Sequence, residues 1–436
     1  MTTNGAANTV QRSAAARRAG DSSAGRGVLA AIMVVSLALS VLFAVSLPMG
    51  ANPDEVSHLH YVRLLIEQRG FVQFQGNDPT LFETHQPPLY YLFCVPVYLA
   101  SGGNYVAVRL VAALFQLCTV LVAFRACRDF FPDRVEVALG AAAFVAFLPS
   151  AAQLGAAINN DPLTTLLCAL IFWKLGKVVT RGSTPRKSLL LGLILGLGLL
   201  TKLSVLQVIP AFAIAYLIAV RGRRMTLKQA AACFGVALAV GFLLASPWLI
   251  RNTWLYGDPF TLKIFPLTAG PNTPTPPIMM QGMHWTFDQY LSVTAARTFA
   301  TFWFVLPPNY LYATSGPMAL ISLFAVGGLW GAISTLLQGR RDGMDTERGD
   351  TGRLVKLFVC GIILLVPFFA KFVLTYFQAQ GRYFFPALLP VAVLTVLGFA
   401  NLPGRAGKFG VLFLALALLL MSLFQITSLG KGFALS

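Results

Sequence analysis

Runs of about twenty apolar residues, the length that crosses a bilayer, recur along the chain and are separated by short polar breaks. They predict eleven membrane-spanning helices near 28–48, 104–125, 135–157, 162–180, 187–201, 204–220, 228–248, 315–336, 354–376, 383–401 and 409–428. Two longer polar stretches interrupt the pattern, 49–103 and 249–314. Residues 1–27, rich in Ala, Gly, Ser and Arg, offer little to pack and read as a disordered basic tail. The pattern therefore gives an all-α fold, a polytopic transmembrane helical bundle over 28–436 with amphipathic juxtamembrane helices in the first polar loop.

Composition excludes a water-soluble globule: 56% of the 436 residues are hydrophobic and 11% charged, against about 25% charged in soluble chains. The six cysteines are scattered through apolar runs with no metal-binding or disulfide spacing, as expected of small core hydrophobes. The net charge of +17 acquires a meaning once the charges are placed. An odd number of spans with the N-terminus inside puts 23 of the 33 basic residues on the cytoplasmic side, while the acids divide evenly. The basic balance thus follows from topology and from contact with membrane lipids, with no call for nucleic acid.

All four histidines fall on the outer side, so polar chemistry gathers there. The cytoplasmic loops are short and carry no nucleotide-binding glycine motif, which argues against ATP-driven or nucleotide-sugar chemistry on that face. No internal repeat with matched broken helices supports a secondary transporter.

Directly after the first span, Asn52-Pro53-Asp54-Glu55 reads as a helix start. Asn52 caps, Pro53 fits the first turn, and Glu55 sits where a capping box needs it. Leu59, Val62 and Ile66 give the helix an apolar stripe for the bilayer surface. Capping leaves Asp54 unexplained, and His58 and Tyr61 share its face at helical spacing. A carboxylate, an imidazole and a phenol together can act as a general base towards a hydroxyl, and Asp54, Glu55 and His58 can also hold a divalent cation, although their spacing does not require one. Farther on, Glu83-Thr84-His85-Gln86 precedes Pro87-Pro88, which fixes the direction of the polar groups before Tyr90 and Tyr91. His85 and Gln86 are the substrate-contacting candidates there.

At the other outer turns, Asn159-Asn160-Asp161-Pro162 re-enters the apolar phase, a costly place for Asn160 and Asp161 unless they line a wet cavity. Lys202 breaks an apolar stretch at the outer leaflet. Arg251 follows Trp248, and Arg382-Tyr383 follows Gln380-Gly381, so two arginines suited to phosphate join Lys202 on the face that carries Asp54 and Asp161.

These motifs, in this order over residues 52–386, resemble the GT-C superfamily of multi-pass glycosyltransferases. The resemblance is to the protein O-mannosyltransferase and aminoarabinose-transferase branch, which takes sugar from polyprenyl-phosphate carriers. It implies an inverting glycosyltransferase in a bacterial inner membrane, N-terminus cytoplasmic and active site facing outward, with a polyprenyl-phosphate-linked sugar as donor and an extracytoplasmic glycan or lipid as acceptor. Carried over by position, Asp54 is the acid–base residue supported by Glu55 and His58, and Asp161 shapes the acceptor site. Lys202, Arg251 and Arg382 hold the carrier phosphate, with Tyr61, His85, Gln86, Asn160 and Tyr383 as further substrate contacts. The chain departs from the branch in having His85 and Gln86 where aminoarabinose transferases have a lysine, and it ends soon after the last span, where many relatives carry a soluble domain. A lipid-linked-sugar flippase or a surface-polysaccharide polymerase or ligase are the competing readings.

Overall fold

The computed structural model describes residues 3–75, 81–268, 274–305, 315–341 and 347–434. Among these residues every regular element is helical. In chain order they are α1 (Thr3–Ser46), α2 (Glu55–Glu67), α3 (Leu89–Ala100), α4 (Tyr105–Phe130), α5 (Val135–Phe147), α6 (Pro149–Leu154), α7 (Asp161–Arg181), α8 (Pro185–Leu199), α9 (Ile209–Arg221) and α10 (Leu227–Tyr256). The second half continues with α11 (Phe265–Thr268), α12 (Pro276–Met283), α13 (Phe287–Trp303), α14 (Ser315–Arg341), α15 (Glu347–Ile363), α16 (Leu365–Val373), α17 (Leu388–Ala400) and α18 (Arg405–Ala434).

Each of the eleven expected spans has its helix, and nine helices among the described residues are long and apolar enough to cross a membrane. The other two are α5, with 13 residues, and α8, with 15. The span expected at 135–157 is the clearest departure. Leu148 is extended because Pro149 follows it, so α5 stops there, the six-residue α6 begins, and 155–160 runs as buried non-helical chain into α7. Such backbone survives at membrane depth only when protein surrounds it, and it carries Asn159, Asn160 and Asp161 into the interior. A second break, at Leu200–Lys202, turns α8 into the short 3-10 helix Leu203–Val208 ahead of α9. The basic segment 1–27 lies almost wholly outside the residues whose side chains are described.

One continuous apolar core reaches from Ile32 to Met421. Where α14 crosses α17, a Cβ on Gly398 would meet the carbonyl oxygen of Gly327 at 1.7 Å, so the two backbones touch through glycine, as small residues allow between membrane helices. Contrary to the bilayer-surface expectation, α2 turns Leu59 and Val62 into the core. The first outer loop is thereby packed against the bundle, with its N-terminal end, Asp54, at the rim.

Candidate active site

The start of α2 is set by a charge buried far from it in sequence. Arg109 lies near the start of α4, an apolar helix, with both it and Glu55 fully shielded, and its guanidinium donates through Nε and Nη2 to the Glu55 carboxylate at 2.8 and 2.7 Å. The remaining protons go to the carbonyls of Ala44, Leu47 and Pro48, which close the end of α1. Glu55 also accepts from the backbone of Gly50 and Ile158 and from the side chain of Asn52. The capping box expected from Asn52 is thus replaced: α2 begins at Glu55 itself, and its carboxylate faces Arg109. Glu55, expected in the catalytic set and among the metal ligands, is a tie between α1, α2, α4 and the 157–161 segment.

That tie leaves Asp54 outside the helix, in the left-handed region at φ 59°, with no capping bond. Aspartate tolerates this conformation better than most residues. Its carboxylate, 38% exposed, accepts from Arg382 Nη2 at 2.9 Å. The other arm of the same guanidinium reaches Asp161 at 3.3 Å, and Lys202 Nζ completes the group at 2.5 Å from Asp161. Three elements meet here because each brings a polar residue at a break: Asp161 at the start of α7, Lys202 between α8 and α9, and Arg382 in the 3-10 helix Gly381–Ala387. Gly381 is required, since a Cβ there would lie 2.1 Å from the backbone nitrogen of Phe302. Gln380 accepts from Arg382 Nε at 2.6 Å and fixes its fork. Burial tends to raise the Asp54 carboxyl, but the neighbouring Arg382 and Lys202 charges prevail and hold it below the usual carboxylate range.

Behind Asp54, His58 Nδ1 shares a proton with the Tyr91 hydroxyl at 2.8 Å and stands 3.8 Å from Glu83. One ligand atom each from Asp54, His58 and Glu83 falls within 4.8 Å of the others, so this trio, with Glu83 in place of Glu55, could hold a cation. Burial pushes His58 down to about 3, leaving it neutral. Burial, and then the charge of Asp54, push Glu83 up to about 8, and one of its oxygens has no hydrogen-bond partner among the described residues. Folded Glu83 therefore keeps its proton to about pH 8, whereas the unfolded chain releases it near the ordinary 4.5, so stability falls as pH rises between the two. His58 and His85, both held neutral by burial, oppose this below their ordinary value of 6.5, so the comparison is made between about pH 6.5 and 8. There the native protein should lose thermal stability relative to Glu83→Gln, and equal slopes would contradict the assignment.

The remaining expected residues divide. Asn160 is fully buried and donates to Gln86 Oε1 and to the Thr201 carbonyl, both at 3.4 Å, which links the double-proline segment to the Lys202 turn. Tyr383 stacks its ring 5.5 Å from the Arg382 guanidinium. Tyr61 turns from Asp54 to pack on Tyr91, its hydroxyl reaching the Gln86 carbonyl at 3.5 Å, and His85 bonds back to Phe82. Arg251 is not brought to the other cations: it donates to the Val72 and Phe71 carbonyls and lies over Trp248 at 4.6 Å, anchoring the non-helical 71–75 segment. Sequence reasoning named Glu83 and Tyr91 only as parts of the double-proline motif, without a role of their own, and missed Arg109. An arginine at the outer end of the span Tyr105–Phe130, away from Arg125 and Arg128 at its opposite, basic end, was the available signal for Arg109.

Against Arg382 opens a cavity of about 210 Å³ whose walls include Asn52, Pro53, Gln153, Thr301 and Gln380.

Comparisons with known proteins bear on the fold and on the middle of the chain. The model of the dolichyl-phosphate-mannose-protein mannosyltransferase family matches residues 85–251, a stretch holding Asn160, Asp161 and Lys202, with Asp54 and Arg382 outside it. No curated protein matches the chain in sequence. Among solved structures, ArnT from Cupriavidus metallidurans bound to undecaprenyl phosphate aligns with a TM-score of 0.55 and 15% identity, over 93% of this chain and 74% of ArnT. The same protein in its apo state aligns at 0.52 and 15%, over 94% and 74%. An oligosaccharyltransferase from Archaeoglobus fulgidus in complex with zinc and sulfate aligns at 0.49 and 12%, over 92% and 53%. The chain has the fold of ArnT and carries the mannosyltransferase family's pattern over residues 85–251, so the resemblance to the GT-C glycosyltransferases read from its ordered motifs is borne out.

Proposed function

We propose that this protein is an inverting glycosyltransferase that moves a sugar from a polyprenyl-phosphate donor of the undecaprenyl-phosphate type to a glycan or lipid acceptor on the outer face of the plasma membrane. The observation that carries the reading is Arg382 held between Asp54 and Asp161, with Lys202 beside it. Two fixed cations face a more exposed carboxylate. ArnT's complex with undecaprenyl phosphate supports a lipid phosphate as the occupant.

The phosphodiester of the donor, arriving at Lys202 and Arg382, competes with the carboxylates for their protons, and the outermost bond, Arg382 to Asp54, is the one it displaces. Released from Arg382, Asp54 regains proton affinity as the donor binds. It then takes the proton of the acceptor hydroxyl while that oxygen bonds to the anomeric carbon. The bond from that carbon to the phosphate oxygen breaks, its electron pair leaves with the phosphate, and the cations stabilise the charge. One displacement inverts the anomeric configuration and needs no covalent enzyme intermediate. Asp161 keeps Lys202 and Arg382 in place.

The test is transfer of a labelled sugar from polyprenyl phosphate to a cell-envelope acceptor by purified protein in lipid, with the anomeric configuration of the product determined. A retained configuration, or no transfer from any polyprenyl-phosphate sugar, contradicts the proposal. Arg382→Lys probes the carrying observation: a lysine keeps the charge but cannot reach both carboxylates as a fork does. Losing one charged hydrogen bond costs about 1.5–3 kcal/mol, so kcat/KM should fall about 10- to 100-fold. Steady-state kinetics checks it, and a variant as active as the native protein would remove the fork from the account.

A further inference from the structure

Asp54 holds a backbone conformation that its own helix does not account for. A residue other than glycine stays in the left-handed region only when its surroundings fix it there. The fixing groups come from the buried chain ahead of α7. The Ile158 N–H donates to the Glu55 carboxylate at 3.1 Å, and the Asn159 side-chain amide donates to the Pro53 carbonyl at 3.2 Å. That carbonyl belongs to the peptide preceding Asp54, whose plane sets φ there, so both neighbours of Asp54 are pinned by two consecutive residues of one segment. Asn159 has a second hold: its side-chain oxygen accepts the backbone N–H of Asp161 at 2.9 Å. It is fully buried, and its own N–H donates to the Tyr90 hydroxyl at 3.0 Å, which fixes where the amide stands. One side chain thus ties together the backbones of the two carboxylates that Arg382 bridges.

Resting on the transferase reading, we propose that Asn159 is a positioning residue whose amide clasps the peptide ahead of Asp54 to the start of α7, and so holds the general base where it meets the acceptor hydroxyl. The two ends of the amide divide the work. The donor end aims Asp54, while the acceptor end satisfies an N–H that helix geometry leaves without a partner at the start of α7. Without the clasp, Asp54 relaxes from φ 59° and swings its carboxylate away from the acceptor. Lys202 and Arg382 keep Asp161, and with it the place of the donor phosphate.

The test sets Asn159→Ser against Asn159→Ala. Serine keeps an acceptor for the Asp161 N–H but is too short to reach Pro53, whereas alanine loses both bonds. Both should lower kcat about 10- to 100-fold, as expected when a reacting group is displaced by up to about 1 Å, with KM for the donor little changed. Asn159→Ala should lose the more thermal stability of the two. In the Asp54→Asn background, Asn159→Ser should cost no further activity, because it acts through Asp54. Carbodiimide labelling of the protein in lipid nanodiscs, read by mass spectrometry, reports the same contact whether or not sugar is transferred. Asp54 should be modified faster in Asn159→Ser than in the native protein, with the exposed Asp288 of α13 as the unchanged reference. Native kcat in a folded Asn159→Ser, a full additional loss in the Asp54→Asn background, an unchanged Asp54 labelling rate, or failure of Asn159→Ser to fold would each overturn the proposal. No transfer by the native protein, with Asp54 labelling still raised in the variant, would instead defeat the transferase reading and leave the clasp standing.

Discussion

Replacing Asp54 by asparagine should abolish sugar transfer, lowering kcat by about 10²- to 10⁴-fold, the range lost when a general base is removed. The protein should still fold. Asparagine accepts the left-handed backbone at φ 59°, where alanine would add strain, and the side chain is exposed enough that losing its charge leaves no buried ion unpaired. Arg382 keeps Asp161. Affinity for the carrier lipid should hold or rise, because the phosphate no longer competes with a carboxylate for Arg382. That combination separates the present account from a flippase, which would bind the same lipid through Lys202 and Arg382 and have no use for a base. Transfer assays on the folded variant, with carrier binding measured alongside, decide it; a variant that transfers at the native rate would show that Asp54 is only a partner of Arg382.

The second large effect is on folding. Arg109→Ala leaves the Glu55 carboxylate sealed in the bundle with its counter-charge gone, and breaking a buried pair from one side costs about 3–5 kcal/mol. It also strips the carbonyls of Ala44, Leu47 and Pro48 of their donors. Thermal unfolding in detergent should show a large drop, or no folded protein should be recovered at all. Glu55→Leu paired with Arg109→Leu should recover part of the loss, since no lone charge remains. Were Glu55 a catalytic group and not a tie, Arg109→Ala would fold normally and Glu55→Gln alone would stop transfer. The two carboxylates adjacent in sequence are thus separable by experiment.

Those neighbours also mark where the sequence was legible and where it was not. The bundle could be read because twenty-residue apolar runs have few other uses, and because each polar break at their outer ends was forced to lie on one face. Asp54, Asp161, Lys202 and Arg382 could therefore be grouped before any coordinates, although Asp54 and Arg382 are 328 residues apart. Their pairing could not be read, since it depends on how α7 and the Gly381 turn meet. Glu55 was misplaced because a capping box is a local preference, whereas Arg109's need for a counter-charge acts through the tertiary fold and prevailed. Arg251 shared the outer face with the other arginines, but its height and direction were set by the non-helical segment at Phe71 and Val72, which carries no strong pattern of its own. The break of α5 was written in Leu148-Pro149 and was lost within the longer apolar run.

The most direct measurement is the fate of the carrier. Protein in lipid, supplied with an undecaprenyl-phosphate-linked sugar and an envelope acceptor, should release one undecaprenyl monophosphate for each sugar that appears on the acceptor, and Asp54→Asn should release it about 10²- to 10⁴-fold more slowly. Sugar-lipid that crosses the membrane intact, or a carrier released as the diphosphate, would contradict the account.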